Sequence, residues 1–359
     1  MLVHICCSVD SHFFLQKLQK LYPNEPLIGY FYDPNIHPFS EYQLRLLDVK
    51  RSCHQLGIPL YEGEYDYALW IEAVRGLEDE PEKGKRCSVC FDSRLVKSAQ
   101  KAVELGEKLL TTTLLTSPKK SFAQLVSSLE EISASYGLLA IYPDFRKGGG
   151  TQEQFAIAKA SQLYHQDYCG CLFALKKQRD VQQRWADELS SPLRPQILPA
   201  SIEERLALYE AVFTREQTKK PYKIRREKFL NYRLLSAKVT LLEKVLSSYF
   251  LFYSVFKQEK TKAKVDFSDE GKAYLNKDNI CLISLETFNV LANTQYQNLK
   301  ELLFSPPLIS AEIQVRKALS GNDFLSLTPI VILDEIEQKG EYIFEVQTKT
   351  YMDIREVLV

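Results

Sequence analysis

The 359-residue sequence has no stretch approaching the roughly 18 consecutive apolar residues that a membrane-crossing helix needs, so no membrane partner is expected. Its first residues lack a basic segment followed by a long apolar run and a cleavage site, and the expected location is the cytosol. Net charge is missing as well. The 46 Lys and Arg are balanced by 46 Asp and Glu, which argues against a wholly basic nucleic-acid binder. That balance is uneven along the chain. Residues 201–264 carry 15 Lys and Arg against 7 Asp and Glu, whereas residues 265–359 carry 8 against 15, so basic surface is local. No internal repeat and no low-complexity tract interrupts a composition of 45% hydrophobic and 26% charged residues, which suits a globular chain long enough for two domains.

What is present in the first half is an alternation of short apolar runs with amphipathic ones. LVHIC (2–6), LIGYFYD (27–33), LYEGEY (60–65), LLTTTLL (109–115) and LLAIYPDF (138–145) read as strands. Helical patterns over about 11–21, 40–57, 68–79, 88–105 and 120–135 separate them, and another begins at Thr151, its end leading to YCGC (168–171). Ser40 with Gln43, and Thr151 with Gln154, have the spacing of capping boxes. Strand and helix alternating in this way predict an α/β fold with a parallel sheet covered on both faces. Ligands in such sheets sit beyond the carboxyl ends of the strands, where Cys6, Cys7 and Asp10 fall. SSPLRPQILP (190–199), with three prolines in ten residues, reads as a linker between a domain at 1–190 and a C-terminal extension at 200–359. That extension is expected to be helical to about 264 and then mixed α+β, with LTPIVILDEI and EYIFEVQT as strands.

Eight cysteines are few, but six of them fall in three tight pairs: Cys6 with Cys7, Cys87 with Cys90, and Cys169 with Cys171. Cys53 and Cys281 stand alone and are expected to be unliganded. A disulfide between adjacent residues would be badly strained, so the first pair has another use. Paired thiols in a reducing compartment point to metal or redox chemistry. The CxxC at 87–90 can offer two thiolates to one centre, with Arg86 and a helix start favouring the thiolate form. In CGC the glycine lets the backbone bend closely round a metal. Six thiols and Asp10 exceed one tetrahedral zinc. They suffice for a four-ligand cluster with three ligands over, and so soft a set suits iron-sulfur, copper or zinc. A structural zinc site, a dithiol switch confined to the CxxC and unrelated buried thiols are the competing readings.

HICCSVD, YDPNIHPFSEYQLR, RCSVCFDSRL, TTTLLTSPKKS, DFRKGG and YHQDYCGCLF occur in this order, and together they resemble the QueH family of epoxyqueuosine reductases over roughly residues 1–180. The resemblance implies a Rossmann-like sheet of the adenine-nucleotide-hydrolase kind, a 4Fe-4S cluster and a neighbouring mononuclear iron. It implies reductive removal of the epoxide oxygen of epoxyqueuosine at the wobble position of the tRNA anticodon loop, with tRNA and an electron donor as partners. Many family members have a cysteine where this chain has Asp10. On this basis Asp10, Cys87 and Cys90 are expected at the cluster with one of Cys6 and Cys7, and the remaining thiol at the second metal with Cys169 and Cys171. Cys6, Cys7 and Asp10 are the expected catalytic residues. An epoxide deoxygenation takes two electrons and two protons, which no side chain supplies, so a redox metal is independently expected.

Around that centre, Tyr32, Asn35 and His37 are candidates for framing the substrate pocket. Lys119 and Lys120 are candidates for the RNA backbone, and Asp144, Arg146 and Lys147 with Gly148–Gly150 for a phosphate loop. His4 and His54 read as packing or surface residues. In KKPYKIRREKF (219–229), Lys223, Arg225 and Arg226 would meet phosphates while Tyr222 or Phe229 stacks on an unpaired base. Two other functions compete: a zinc-stabilised nucleic-acid-binding protein without catalysis, and a thiolation enzyme of the ATP-pyrophosphatase type. The second is disfavoured because cysteines replace the glycines of its phosphate loop.

Overall fold

The alternating runs of residues 1–189 form, in order, β1 (Leu2–Ile5), α1 (Ser8–Leu21), β2 (Ile28–Phe31), α2 (Phe39–Leu56), β3 (Leu60–Glu62), α3 (Tyr67–Ala73), α4 (Lys85–Glu104), β4 (Leu109–Thr112), α5 (Phe122–Ser135), β5 (Leu139–Ala140), α6 (Gly150–Ala160) and α7 (Leu172–Val181). The structure is a computed structural model, and it describes residues 1–189, 196–321 and 325–359. All five strands are parallel, in the order β3-β2-β1-β4-β5, with Leu2 opposite both Ile28 and Leu110. Alternate residues take opposite faces. Val3, Ile5 and Phe31 pack with Phe14, Leu15 and Leu18 of α1 and Val49 of α2, while Leu2, Tyr30 and Tyr32 pack with Leu95 and Ala99 of α4 and Leu129 of α5. The expected α/β sheet covered on both faces is therefore present.

The chain leaves β1 toward β2 on one side and returns to β4 on the other, so the strand order reverses between β1 and β4. In doubly wound sheets the crevice beyond that reversal is the binding site. Neither expected capping box forms: Pro38 and Gly149 occupy the N-caps of α2 and α6, with no side-chain cap bond. Nor does α6 lead directly to the CGC segment. It ends at Ala160, and Cys171 is instead the N-cap of α7.

The second half contributes α8 (Ile202–Gln217), β6 (Ile224–Leu241), β7 (Lys244–Leu246), β8 (Tyr249–Phe250), β9 (Lys260–Ala263), β10 (Val265–Asp269), β11 (Lys272–Leu275), β12 (Cys281–Ser284), α9 (Leu285–Ala292), α10 (Leu299–Phe304), α11 (Ile309–Ser320), β13 (Ile330–Leu333) and β14 (Tyr342–Leu358). The expectation of helix to about 264 is corrected here: helix ends at Gln217, before Pro221, and an 18-residue strand follows. The reciprocal bonds between Lys223 and Val359, both 2.9 Å, fix the start of an antiparallel ladder between β6 and β14. A strand partner more than 100 residues away overrides the helix preference of the Lys, Arg, Glu and Leu residues in β6.

The described residues divide into two units. The first takes Met1–Leu189, Arg205–Ile224 and Leu358–Val359, and the second takes 196–204 and Arg225–Val357. Residues 190–195 of the expected linker lie outside the described residues. A single cut at 190–200 thus differs from the observed division, because Arg205–Ile224 falls with the first unit. Inside the second unit, the sheets β10-β11-β12-β13-β8 and β7-β6-β14-β9 contribute to one apolar layer that includes Val239, Leu282, Val331 and Phe344. Cys281, Ile283, Ile330 and Ile332 face the other way, toward Phe288, Leu299 and Val315 of α9 to α11. Being covered on both sides, β12 and β13 read as continuous apolar runs. No described helix is long and apolar enough to cross a membrane.

Candidate metal centre

The turn between β1 and α1 sits at the strand-order reversal and carries the first group of donors. Cys7 is the N-cap of α1 in extended conformation, and its side chain makes no cap bond, so the thiol is left for other use. Three residues on, Asp10 lies in the first helical turn and folds back beside it. The ligand atoms of Cys6, Cys7 and Asp10 lie within 4.8 Å of one another, with the two thiols 3.7 Å apart and Cys6 Sγ 3.8 Å from Asp10 Oδ2. Gln154 Nε2 of α6 donates to Asp10 Oδ1 at 2.7 Å, fixing the carboxylate. All three groups are buried. Burial holds the Asp10 carboxyl above its ordinary range, and the Cys6 contact together with burial raises the Cys7 thiol.

A second group of thiols comes from three other segments. Cys87 and Cys90 lie in the first turns of α4, three residues apart and hence on one side of the helix. Cys171 caps α7, and Cys169 precedes it across Gly170, whose φ of +104° no L side chain adopts readily. These four thiols line one small void of about 20 Å³ with Trp70, Arg86 and Lys120. None is in a disulfide. Lys120 Nζ donates to Cys169 Sγ at 2.9 Å. Burial opposes ionisation of Cys169, yet Lys120 and the Arg94 and Arg45 guanidiniums outweigh it and hold the thiol below its usual value. Burial pushes Cys90 up, and Cys171 up to about 12. In a metal site such thiols are deprotonated outright.

Cys169 also lines the neighbouring cavity, of about 110 Å³, together with Cys6, Cys7, Asp10, Asp33, Arg45, Arg94, Lys119 and Lys120. The two groups therefore adjoin. Their composition differs from the expected partition, which put Asp10 with Cys87 and Cys90 and sent Cys6 and Cys7 to different metals. The N-cap and first-turn geometry of α1 keeps Cys6, Cys7 and Asp10 together, while the start of α7 delivers CGC to the CxxC. Four thiols round one void suit a four-cysteine cluster, and two thiols with a carboxylate suit an iron of intermediate softness, so the donor chemistry accommodates both groups.

Other expected site residues hold the frame. Tyr32 is buried, stacks on Tyr30 and donates from Oη to Asp66 Oδ2 at 2.9 Å. The backbone N–H of His37 donates to Gly170 O at 2.8 Å, its carbonyl accepts from Tyr168 Oη at 2.7 Å, and its ring stacks on Tyr67. Asn35 is buried beside Gly170. YDPNIHP thus clasps the CGC segment. Arg146 pairs with Asp144 at 3.1 Å, lies over Phe122 and donates to Lys120 O, whereas Lys147 is exposed. The glycines after them start α6, and a Cβ on Gly150 would lie 1.7 Å from Phe145 O. Their effect is to aim Gln154 at Asp10. Lys119 is exposed at the cavity, and Lys120, expected on RNA, is instead turned to Cys169. His4 is buried and bridges Thr112 Oγ1 and Tyr32 O, and His54 packs on Phe213. Cys53 and Cys281 are buried in apolar layers.

Lys223, Arg225 and Arg226 are exposed, but on the start of a strand rather than a helix face. Arg225 pairs with Glu227 and Arg226 with Glu356. Tyr222 is held by Glu216 and Arg51, and Phe229 lies under Arg355, so both aromatics have protein partners. Sequence reasoning missed Asp33, Arg45, Arg94, Gln154 and Tyr168. Arg45 pairs with Glu41 at 2.7 Å and holds the carbonyls of Tyr168 and Cys169, and Arg94 pairs with Asp33. The available signal was spacing: Arg94 is four residues after Cys90, on the same helix side.

Known proteins were compared with the chain. The family model described as Epoxyqueuosine reductase QueH matches residues 1–177. An epoxyqueuosine reductase QueH of Helicobacter pylori is 40% identical over 360 residues, covering 96% of this chain and 96% of that protein. One of Thermotoga maritima is 34% identical over 182 residues, covering 50% of this chain and 92% of that protein. Among solved structures, the U34-tRNA thiolase NcsA of Methanococcus maripaludis with its 4Fe-4S cluster matches 60% of this chain and 72% of its own at 14% identity and a TM-score of 0.31, too low to bear on fold or function.

Proposed function

The chain belongs to the QueH family of epoxyqueuosine reductases, and from that membership we propose that it converts epoxyqueuosine to queuosine at the wobble position of tRNA. Membership in a reductase family sets aside the non-catalytic zinc protein and the thiolation enzyme. The observation that supports the reading in this chain is the convergence of six thiols and a carboxylate at the strand-order reversal. In this reading Cys87, Cys90, Cys169 and Cys171 hold a 4Fe-4S cluster, and Cys6, Cys7 and Asp10 hold a mononuclear iron. When bound, these groups would relay electrons and supply Lewis acidity.

The reaction removes the epoxide oxygen as water and leaves a carbon–carbon double bond, consuming two electrons and two protons. The electrons come from a donor outside the chain. Within it, Lys120 favours the thiolate of Cys169, Gln154 orients Asp10, and Gly170 with Arg45 sets the CGC backbone. Tyr32, Asn35 and His37 shape the cavity by fixing its wall. Lys119, Arg146 and Lys147 receive the anticodon-loop backbone at the mouth. Lys223, Arg225 and Arg226 add phosphate contacts, because the exposed ion pairs of the two arginines are weak enough, about 0–1 kcal/mol, to exchange for phosphate. The test is complementation of a strain lacking epoxyqueuosine reductase, with mass analysis of its tRNA nucleosides. Queuosine restored is the expected result, and epoxyqueuosine persisting beside expressed, metal-loaded protein would refute the assignment. Stoichiometric zinc without acid-labile sulfide in anaerobically prepared protein would refute the metal reading.

A further inference from the structure

Trp70 brings a buried N–H to the four thiols of the second donor group. The residue is 1% exposed, packs with Cys90, Cys171 and Ala174, and lines the void that Cys87, Cys90, Cys169 and Cys171 share. Tyr67 stacks on its ring at 6.0 Å and Phe173 lies 6.2 Å away, so the indole is held in place. Indole Nε1 can only donate, and no oxygen or nitrogen among the described residues accepts from it. A buried donor left unmade is costly, and native folds rarely tolerate it without a reason.

The group that gains from this N–H is Cys90. Burial raises the Cys90 thiol, and against burial work the Arg94 guanidinium and a hydrogen bond from Trp70 to the ionised sulfur. A protonated thiol is a weak acceptor, so the indole is poorly served while Cys90 keeps its proton. A metal-bound thiolate is charged and accepts strongly. The other three thiols have donors of their own. Lys83 N lies 3.3 Å from Cys87 Sγ, Lys120 Nζ lies 2.9 Å from Cys169 Sγ, and against burial the Ala174 N–H favours the thiolate of Cys171. Trp70 completes the set, and it does so with a neutral side chain.

Resting on the reading that these four cysteines hold a 4Fe-4S cluster, we propose that Trp70 Nε1–H donates to the Cys90 thiolate of the assembled site and raises the reduction potential of the cluster. Reduction adds negative charge to a cluster and its thiolates, so a fixed donor at one thiolate stabilises the reduced state more than the oxidised one. Trp70 touches no reacting atom and acts only through Cys90. The potential it sets decides how readily an outside donor fills a centre through which a deoxygenation draws its electrons.

The test uses full-length protein loaded anaerobically with iron and sulfide, and reads the cluster potential by a redox titration followed in the visible spectrum. Two replacements are compared with the parent: Trp70→Phe, and 3-benzothienylalanine at position 70, which keeps the shape of the indole and exchanges its N–H for sulfur. Both proteins should keep their acid-labile sulfide and reduce at a more negative potential. At the parent's midpoint the ratio of reduced to oxidised cluster should fall on the order of tenfold, about 59 mV for one electron. The isosteric protein decides. If it titrates at or above the parent's potential the proposal is overturned, even where Trp70→Phe shifts, because packing alone would then be responsible. Loss of the cluster from the isosteric protein overturns it too, since the N–H would then hold the cluster rather than tune it. A parent that binds no acid-labile sulfide overturns the cluster reading itself, and the role of Trp70 with it.

Discussion

Replacing Gly170 by alanine should cost both stability and the metal site, and the amount can be worked out. At φ +104° the backbone lies outside the left-handed helical well, so any side chain there costs roughly 1–3 kcal/mol. An added Cβ would also sit 3.0 Å from Ile36 Cγ1 and 3.2 Å from Arg45 Nη1. Arg45 cannot retreat freely, being buried and bound to Glu41 at 2.7 Å, to Tyr168 O at 3.0 Å and to Cys169 O at 3.2 Å. Loss of the two carbonyl bonds adds about 1 kcal/mol each. The total is about 3–5 kcal/mol, a large part of the 5–15 kcal/mol that folds a typical domain. Gly57→Ala is the control. Its φ is +66° and nothing lies within 4 Å of an added Cβ, so only the backbone cost of about 1 kcal/mol applies. Urea unfolding of the metal-free variants gives the stabilities, and anaerobic iron and sulfide analysis gives the metal. Gly170→Ala matching Gly57→Ala in both measurements would refute the reasoning, because the close approach to Arg45 would then carry no energy.

Cys90→Ser should lose acid-labile sulfide and visible absorbance, whereas Asp10→Ala should lose on the order of one iron per chain and keep the sulfide; joint loss in both variants would reject the two-group partition. Asp10→Cys should retain iron, with a thiolate standing in for the carboxylate, and iron loss there would count against Asp10 as a ligand position. In metal-free protein, Lys120→Met should slow alkylation of Cys169 near neutral pH, because the thiolate fraction falls, and an unchanged rate would show that the ammonium does not tune it. Glu312 of α11 is buried and pushed up to about 7 from 4.5, despite bonds from Tyr249, Phe252 N and Gln196. Its folded-state pKa is raised, so the stabilisation is full below pH 4.5 and is lost as pH rises through 7. Relative to Glu312→Gln, the parent should therefore weaken by about 3 kcal/mol across that window, as read by urea midpoints; a constant difference would refute it.

The strands and donors of the first unit were legible because both signals are local. LVHIC is a short, nearly continuous apolar run, as a central parallel strand covered on both faces requires, and three cysteine pairs within 180 residues are hard to assign to packing. Which of these side chains lie together was not legible, because the answer depends on where helices begin. Cys7 at the N-cap and Asp10 one turn later meet only if α1 starts at Ser8. Gln154 has the spacing of a capping residue, and only the left-handed Gly149 ahead of it turns it toward Asp10. Charges were least legible. Lys120 and Arg94 read as surface residues in isolation, and burial beside thiols and Asp33 is a property of the assembled sheet edge. In β6 the residue types favoured helix, and a partner 130 residues downstream, Glu356 opposite Arg226, decided otherwise.

The Thermotoga relative bears on why residues 205–224 belong with the first unit. Half of this chain spans nearly all of that protein, so the match does not extend over the rest of this chain. Here, though, the guanidinium of Arg51 is fully buried, and its partners are Asp48 at 2.6 Å, Glu216 at 2.8 Å, Tyr222 at 3.3 Å and the carbonyls of Ser161 and Gln162. Two of these five come from the added segment. Asp48, in turn, accepts from Ser8 Oγ, next to Cys7, and from Tyr164 N. A buried cation stripped of partners costs several kcal/mol, so the segment from α8 onward completes a network whose other end fixes the cysteine turn. In this chain residues 205–224 are therefore part of the frame of the cysteine turn, through one arginine.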